Sequence, residues 1–327
     1  MNEKLKYLII KPNLGCNCSC NFCESRLELY EKNEGKKLLS LKDWKKILKT
    51  GKELGLKSVH ISGGEPTLYG GLIDLIKHAK SLGLKVNLNT NGILLANKKY
   101  VQNLNSAKLD SCTISLYSAS PAKHDSIRSY DGAFAKALLA MNNIHKTSIE
   151  LNLQTILTVD NMAYFLEFIK LAHKQNPKKM FISYLEGYNN INHPSKEDIT
   201  HFKETVVPNC QDYLKKELKG TILQKNLKNL NHLFKWGVSY SDLARGIYNC
   251  SNSINCKNRK SLALILANGD IHPCNAIEYF HKPIVGNLHK KSLKELWDSD
   301  NWKKIRKGGS GWCKLCPMTH HTYLVFK

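Results

Sequence analysis

The sequence predicts an α/β protein: a partial (β/α)6, TIM-like barrel followed by a small C-terminal α+β domain. Two observations predict it. The first half carries six short apolar runs separated by amphipathic stretches, and strand–helix alternation builds a parallel sheet with right-handed crossovers. After residue 184 that rhythm stops. An open α/β sheet is the alternative closure of the same six units.

Strands are expected at 7–11, 58–62, 85–89, 111–115, 151–157 and 180–183, and helices at 41–54, 72–82, 98–105, 134–145 and 163–175. Leu72, Ile73, Leu75, Ile76 and Ala79 recur with the spacing of one helix face. Residues 187–195 are polar and carry Asn-Asn and His-Pro turn signals. Residues 196–236 read as helical and Lys-rich. From Cys250 the rhythm shortens, and two short strand candidates flank Asn268-Gly269, a hairpin dipeptide. The expected division is a barrel at 1–187, a helical insertion at 188–249 and a C-terminal domain at 250–327.

The formal charge is +22, yet only five of the 49 basic residues are Arg (26, 128, 245, 259 and 306). Arg is the residue of planar phosphate and base recognition. The lysines are scattered without interleaved aromatics, so the charge reads as lysine-rich bias, and nucleic acid is not the expected partner. No apolar run reaches the roughly 18 residues of a membrane span. The apolar stretch at 8–10 is too short for a signal peptide. A cytoplasmic protein is expected, with no membrane partner. Eleven cysteines in a reducing compartment argue against a disulfide framework. They gather at 16–23 and 250–316, which points to metal or cluster ligation. Cys18, Cys112 and Cys210 fall outside any motif and read as buried structural thiols.

Cys16, Cys20 and Cys23 form CxxxCxxC just after the first strand. Three thiolates in one loop hold three irons of a cubane and leave the fourth open. Structural zinc, with Cys18 as fourth ligand, is the competing content. Ser62-Gly63-Gly64-Glu65-Pro66 follows the second strand, and Asn89-Thr90-Asn91-Gly92 follows the third. Paired glycines at a strand end admit a close-lying ligand, and barrel active sites form at the C-terminal ends of strands.

These residues together resemble the radical S-adenosylmethionine (SAM) superfamily, over roughly residues 7–185. The resemblance implies a 4Fe–4S cluster on Cys16, Cys20 and Cys23 whose open iron chelates the methionine part of S-adenosylmethionine. It places Phe22 against the adenine, and Gly63, Gly64 and Glu65 at the methionine amino group. Asn89 and Asn91 fall near the ribose, and Ser115 and Arg128 among the cofactor contacts. The Arg128 fork suits a carboxylate; a surface ion pair with Asp125 or Asp131 is its ordinary alternative. The cluster supplies the electron that cleaves the cofactor, from a donor such as flavodoxin or ferredoxin.

The second group, Cys256, Cys274, Cys313 and Cys316, resembles the auxiliary-cluster domain called Twitch, related to SPASM. It implies one further 4Fe–4S cluster, with Cys250 as the alternative to Cys256 and structural zinc as the alternative content. Trp297 and Trp302 read as core. No catalytic base is assigned. The single auxiliary cluster and the short stretch before Cys16 favour oxidation, dehydrogenation or epimerisation of a small, carbohydrate-like substrate. Modification of a ribosomal peptide is the alternative, and a non-catalytic iron–sulfur electron carrier is a third reading. The pocket is expected at the C-terminal rim of the strands, closed by the 189–190 loop and the 196–236 insertion.

Overall fold

The computed structural model describes residues 3–23, 35–184, 194–217, 260–273, 285–307 and 322–325. The six expected strands form, as β1 (Tyr7–Lys11), β2 (Ser58–Ile61), β3 (Lys85–Thr90), β4 (Ser111–Ser115), β5 (Glu150–Leu157) and β6 (Lys179–Tyr184). They pair in parallel in chain order. Between them lie α1 (Leu41–Glu53), α2 (Leu72–Ser81), α3 (Lys98–Ser106), α4 (Pro121–Arg128), α5 (Ala133–His145) and α6 (Phe165–Lys174).

The alternation of side chains along each strand explains the shape. Leu8 and Ile10, Val59 and Ile61, Val86 and Leu88, Leu151 and Leu153 join one core with Trp44, Leu48, Leu75, Ile76, Ala137 and Ile169 of the helices. Burying each such side chain contributes roughly 1.5–3 kcal/mol. The opposite face of β2 to β5 carries Ser58, His60, Asn87, Asn89, Ser111, Thr113, Asn152 and Gln154. The sheet is a partial barrel whose inner face is polar over β2 to β5 and apolar where Ile9 and Leu14 pack on Leu264 and Leu266. Across that face Asn87 Nδ2 donates to Ser58 Oγ at 3.1 Å and Ser111 Oγ donates to Asn87 Oδ1 at 2.7 Å.

The sheet has ten strands. The expected hairpin forms from β7 (Leu262–Leu266) and β8 (Asp270–His272), with Gly269 at φ +84° in the turn. β9 (Gly286–Asn287) adds to β8. What the sequence reading did not anticipate is that β7 pairs in parallel with β1, from Tyr7–Leu262 to Lys11–Leu266. The barrel sheet therefore runs on past residue 250. β10 (Thr322–Val325) pairs antiparallel with β6 at the other edge. The expected insertion is helical where described: α7 (Lys196–His201), a π-helical turn at Phe202–Val206, and α8 (Val207–Glu217). The rest of 196–236 and the 189–190 loop lie outside the described residues.

After β9 come α9 (Leu293–Trp297) and α10 (Asp300–Lys307). Trp297 and Trp302 are buried with ring centroids 4.9 Å apart, core residues as expected. Trp297 Nε1 donates to the Glu3 carbonyl at 3.0 Å, fastening this segment to the start of the chain. Cys112 and Cys210 are fully buried thiols.

Candidate active site

The cysteine loop leaves β1 at the C-terminal end of the parallel strands and is held from three sides. Asn13 Nδ2 donates to the carbonyls of Gly15, at 3.1 Å, and Glu65, at 2.9 Å. The Glu65 N–H donates to the Gly15 carbonyl at 2.8 Å. From α4, the Arg128 and Ile127 carbonyls accept the Ser19 and Asn21 N–H groups at 3.0 and 3.1 Å. From the end of β3, Asn91 Nδ2 donates to Asn17 Oδ1 at 2.7 Å and reaches Cys18 Sγ at 3.5 Å.

The thiols divide by environment. Cys18 is buried between its neighbours, and its S–H serves the sulfurs of Cys16 and Cys20, which pushes its own pKa far up. The same hydrogen bond lowers Cys16 to about 7 against the opposing effect of burial. It also lowers Cys20 to about 6, helped by the charge of Arg128. Thiolates are what iron requires. Cys18 lies outside the CxxxCxxC spacing, and its sulfur accepts from Asn91 Nδ2 at 3.5 Å. No three His, Cys, Asp or Glu side chains among the described residues converge as on a single ion. Cubane ligands go to separate irons and stand further apart.

Gly63 and Gly64 leave no room for a Cβ against the cysteine loop. A Cβ on Gly64 would lie 2.3 Å from the Gly15 carbonyl oxygen, and one on Gly63, at φ +133°, 2.7 Å from that of Asn13. The close approach is by the cysteine loop itself. The Glu65 side chain is buried and occupied within the protein. Oε1 accepts from the Thr67 N–H at 3.0 Å, Thr67 Oγ1 at 2.6 Å and Thr90 Oγ1 at 2.7 Å, and Oε2 accepts from the Asn91 N–H at 2.7 Å. It ties the end of β2 to the end of β3, and any bond from this motif to a ligand falls to its backbone. Asn91 likewise braces the loop, its Oδ1 accepting the Ile93 N–H at 2.9 Å.

Of the buried polar atoms without a partner, two belong to residues expected to bind the cofactor. Asn89 Nδ2 donates to Gln154 Oε1 at 3.0 Å, but its Oδ1 is buried without a partner. Arg128 is buried, which excludes the surface pair; Asp125 instead accepts the Gly132 and Phe134 N–H groups, both at 2.7 Å. Nη2 of Arg128 donates to the Ser115 carbonyl at 2.6 Å, and Nη1 to Cys20 Sγ at 3.7 Å. Its Nε is buried without a partner. Burial works against the Arg128 charge, but Tyr117, Cys20 and Cys18 outweigh it and raise the pKa. An orphaned donor on Arg128, which contacts Cys20, and an orphaned acceptor on Asn89, near the end of β3, fit a ligand with a carboxylate and hydroxyl groups. Phe22 packs edge-on against Tyr117, centroids 4.9 Å apart, within a small cluster that includes Ile127.

Sequence reading missed α4, and with it Tyr117 and His124. Tyr117 lies beneath the Arg128 guanidinium at 4.5 Å, and its N–H donates to His124 Nδ1 at 3.1 Å. The signal for α4 was Ser120-Pro121, an N-cap before a proline at the first helical position. Cys256, Cys274, Cys313, Cys316 and Cys250 lie outside the described residues.

The profile described as the radical SAM superfamily matches residues 10–172, and that of an iron–sulfur cluster-binding domain, SPASM, matches 256–317. The chain is similar to the PqqA peptide cyclase of Rhizobium meliloti, 24% identical over 310 residues, covering 92% of this chain and 76% of that one. An AdoMet-dependent heme synthase of Oleidesulfovibrio alaskensis is 31% identical over 159 residues, 48% of this chain and 39% of that one. Another, from Nitratidesulfovibrio vulgaris, is 24% identical over 314 residues, 94% and 82% of the two chains. Among solved structures, Streptococcus suis SuiB bound to its precursor peptide SuiA superposes with a TM-score of 0.68 at 20% identity, covering 98% of this chain and 71% of that one; at that identity the likeness is one of fold. Thiolate loop, strand-end motifs, barrel topology and both profiles agree: the chain belongs to the radical SAM superfamily and carries a C-terminal SPASM iron–sulfur domain.

Proposed function

We propose that this radical SAM enzyme modifies a peptide, by cross-linking, thioether formation or epimerisation. The observation that carries the reading is similarity to PqqA peptide cyclases over 92% of the chain, barrel and C-terminal segment together. The carbohydrate-like substrate expected from the sequence gains no such support. Heme synthase similarity over 94% of the chain favours tetrapyrrole chemistry as a second reading.

Cys16, Cys20 and Cys23 would hold one 4Fe–4S cluster, and Cys256, Cys274, Cys313 and Cys316 a second. When bound, the first cluster would supply the electron for reductive cleavage of S-adenosylmethionine and so the radical chemistry of hydrogen abstraction. The residues around it bind and orient. Arg128 Nε receives the cofactor carboxylate, beside Ser115, and Asn89 Oδ1 accepts a ribose hydroxyl. Gly63, Gly64, Glu65 and Asn91 hold the loop in place, and Phe22 closes its apolar side. The reducing electron comes from a donor such as flavodoxin or ferredoxin. The division at 1–187, 188–249 and 250–327 is kept as a functional one, barrel, insertion and auxiliary-cluster segment.

The test is co-expression with the short open reading frames flanking the gene, followed by mass spectrometry of the encoded peptides. A peptide that loses hydrogen only with the intact enzyme supports the reading. Unchanged peptides from an enzyme that cleaves S-adenosylmethionine and acts on a porphyrin would replace it with the second.

A further inference from the structure

The Arg128 guanidinium makes a contact that carboxylate binding does not require. Its Nη1 donates to Cys20 Sγ at 3.7 Å. Both ends of this contact are fixed. Nη2 is anchored on the Ser115 carbonyl at 2.6 Å, and the Tyr117 ring supports the guanidinium from below at 4.5 Å. The Arg128 carbonyl accepts the Ser19 N–H at 3.0 Å, and the Ile127 carbonyl accepts the Asn21 N–H at 3.1 Å. One turn of α4 therefore clamps the residues on either side of Cys20 while its last side chain points at the Cys20 sulfur. Asp125, the carboxylate on the same helix, is occupied by the Gly132 and Phe134 N–H groups.

We infer that Arg128 is a positioning residue that tunes the first cluster, its N–H···S hydrogen bond to Cys20 raising the reduction potential of the cluster held there. The inference rests on the assignment of a cluster to Cys16, Cys20 and Cys23. Reduction adds negative charge that spreads onto the sulfurs. A buried cation donating to one of them stabilises the reduced state more than the oxidised one, and hydrogen bonds to sulfur are among the determinants of cluster potential. The second use of the same side chain is compatible with the first, since a guanidinium has five donors and Nε points elsewhere without a partner.

The test is an EPR-monitored redox titration of the reconstituted full chain and of its R128Q and R128K variants. The relevant cluster is the one whose signal changes when S-adenosylmethionine is added. The midpoint should move to more negative potential in R128Q and by a smaller shift in R128K, which keeps the charge but not the fork. An unchanged midpoint in R128Q that retains its cluster overturns the inference. Should R128Q lose the cluster, pulsed EPR of the reduced R26K/R245K/R259K protein carrying 15N-labelled arginine decides, since Arg306, the other arginine left, packs on Trp297 beside Glu3. A 15N hyperfine coupling from the remaining arginines supports the hydrogen bond, and its absence overturns it. Failure of the underlying assignment is seen separately, as unchanged iron content when Cys16, Cys20 and Cys23 are replaced by Ala.

Discussion

At the scale of single residues, Glu65 shows how a buried side chain braces a site. Each of its carboxylate oxygens receives a backbone N–H, from Thr67 and from Asn91. An amide in its place must turn an NH2 group toward one of them. Glu65→Gln should destabilise the fold by about 1.5–3 kcal/mol, the range for hydrogen bonds to a charged acceptor, read by urea denaturation; an unchanged midpoint would mean that the carboxylate is not the bridge described. His124 is the residue with a pH signature. Burial, with a smaller effect of Arg128, pushes its pKa down to about 3, below the unfolded value of about 6.5. As pH falls below about 6.5 the unfolded chain binds the proton first, so stability drops by about 1.4 kcal/mol per pH unit toward the folded value. His60, pushed down to about 4 by burial, adds a slope of the same sign. His124→Asn keeps an acceptor for the Tyr117 N–H but does not titrate. Its stability should fall less steeply than that of the parent between about pH 6.5 and pH 4. Parallel slopes would show that His124 is not buried as a neutral ring.

At the scale of elements, the site is the meeting of a loop, two strand ends and one helix end. Gly64 is where the loop and the β2 end are closest, so Gly64→Ala forces backbone against backbone. It should cost at least about 2 kcal/mol and lower the iron retained after reconstitution. Gly70, with nothing within 4 Å of a Cβ, is the control and should accept Ala with a change within about 0.5 kcal/mol. Equal behaviour of the two variants would contradict the close approach. The strands and most helices were legible because apolar periodicity is local. So were the strand-end motifs, though not what each residue does. The glycines make room for the cysteine loop, and Asn91 braces Asn17 and Cys18. Such roles depend on contacts between residues 50 to 75 positions apart, which spacing does not encode. The helix α4 escaped notice because its apolar face is short, only Ile127 being a buried aliphatic side chain there.

At the scale of the molecule, the C-terminal segment completes the barrel sheet rather than standing beside it. β7 reads Leu-Ala-Leu-Ile-Leu, buried at all five positions, and a continuous apolar strand is the mark of a central parallel position. That signal is present in the sequence, beside the Asn-Gly hairpin. Since β7 covers the open edge of β1, a chain ending at residue 249 should expose that edge and associate. Light scattering should find oligomers or aggregates, and a stable monomer would show that the pairing is dispensable. The central claim is that Cys16, Cys20 and Cys23 hold the cluster that cleaves S-adenosylmethionine. Its most direct test is 5′-deoxyadenosine formation, quantified in anaerobically reconstituted parent and in the variant with all three cysteines replaced by Ala. The account predicts product from the parent, with about eight irons from two cubanes, and none from the variant, with iron for only one cluster; undiminished 5′-deoxyadenosine from the variant would contradict it.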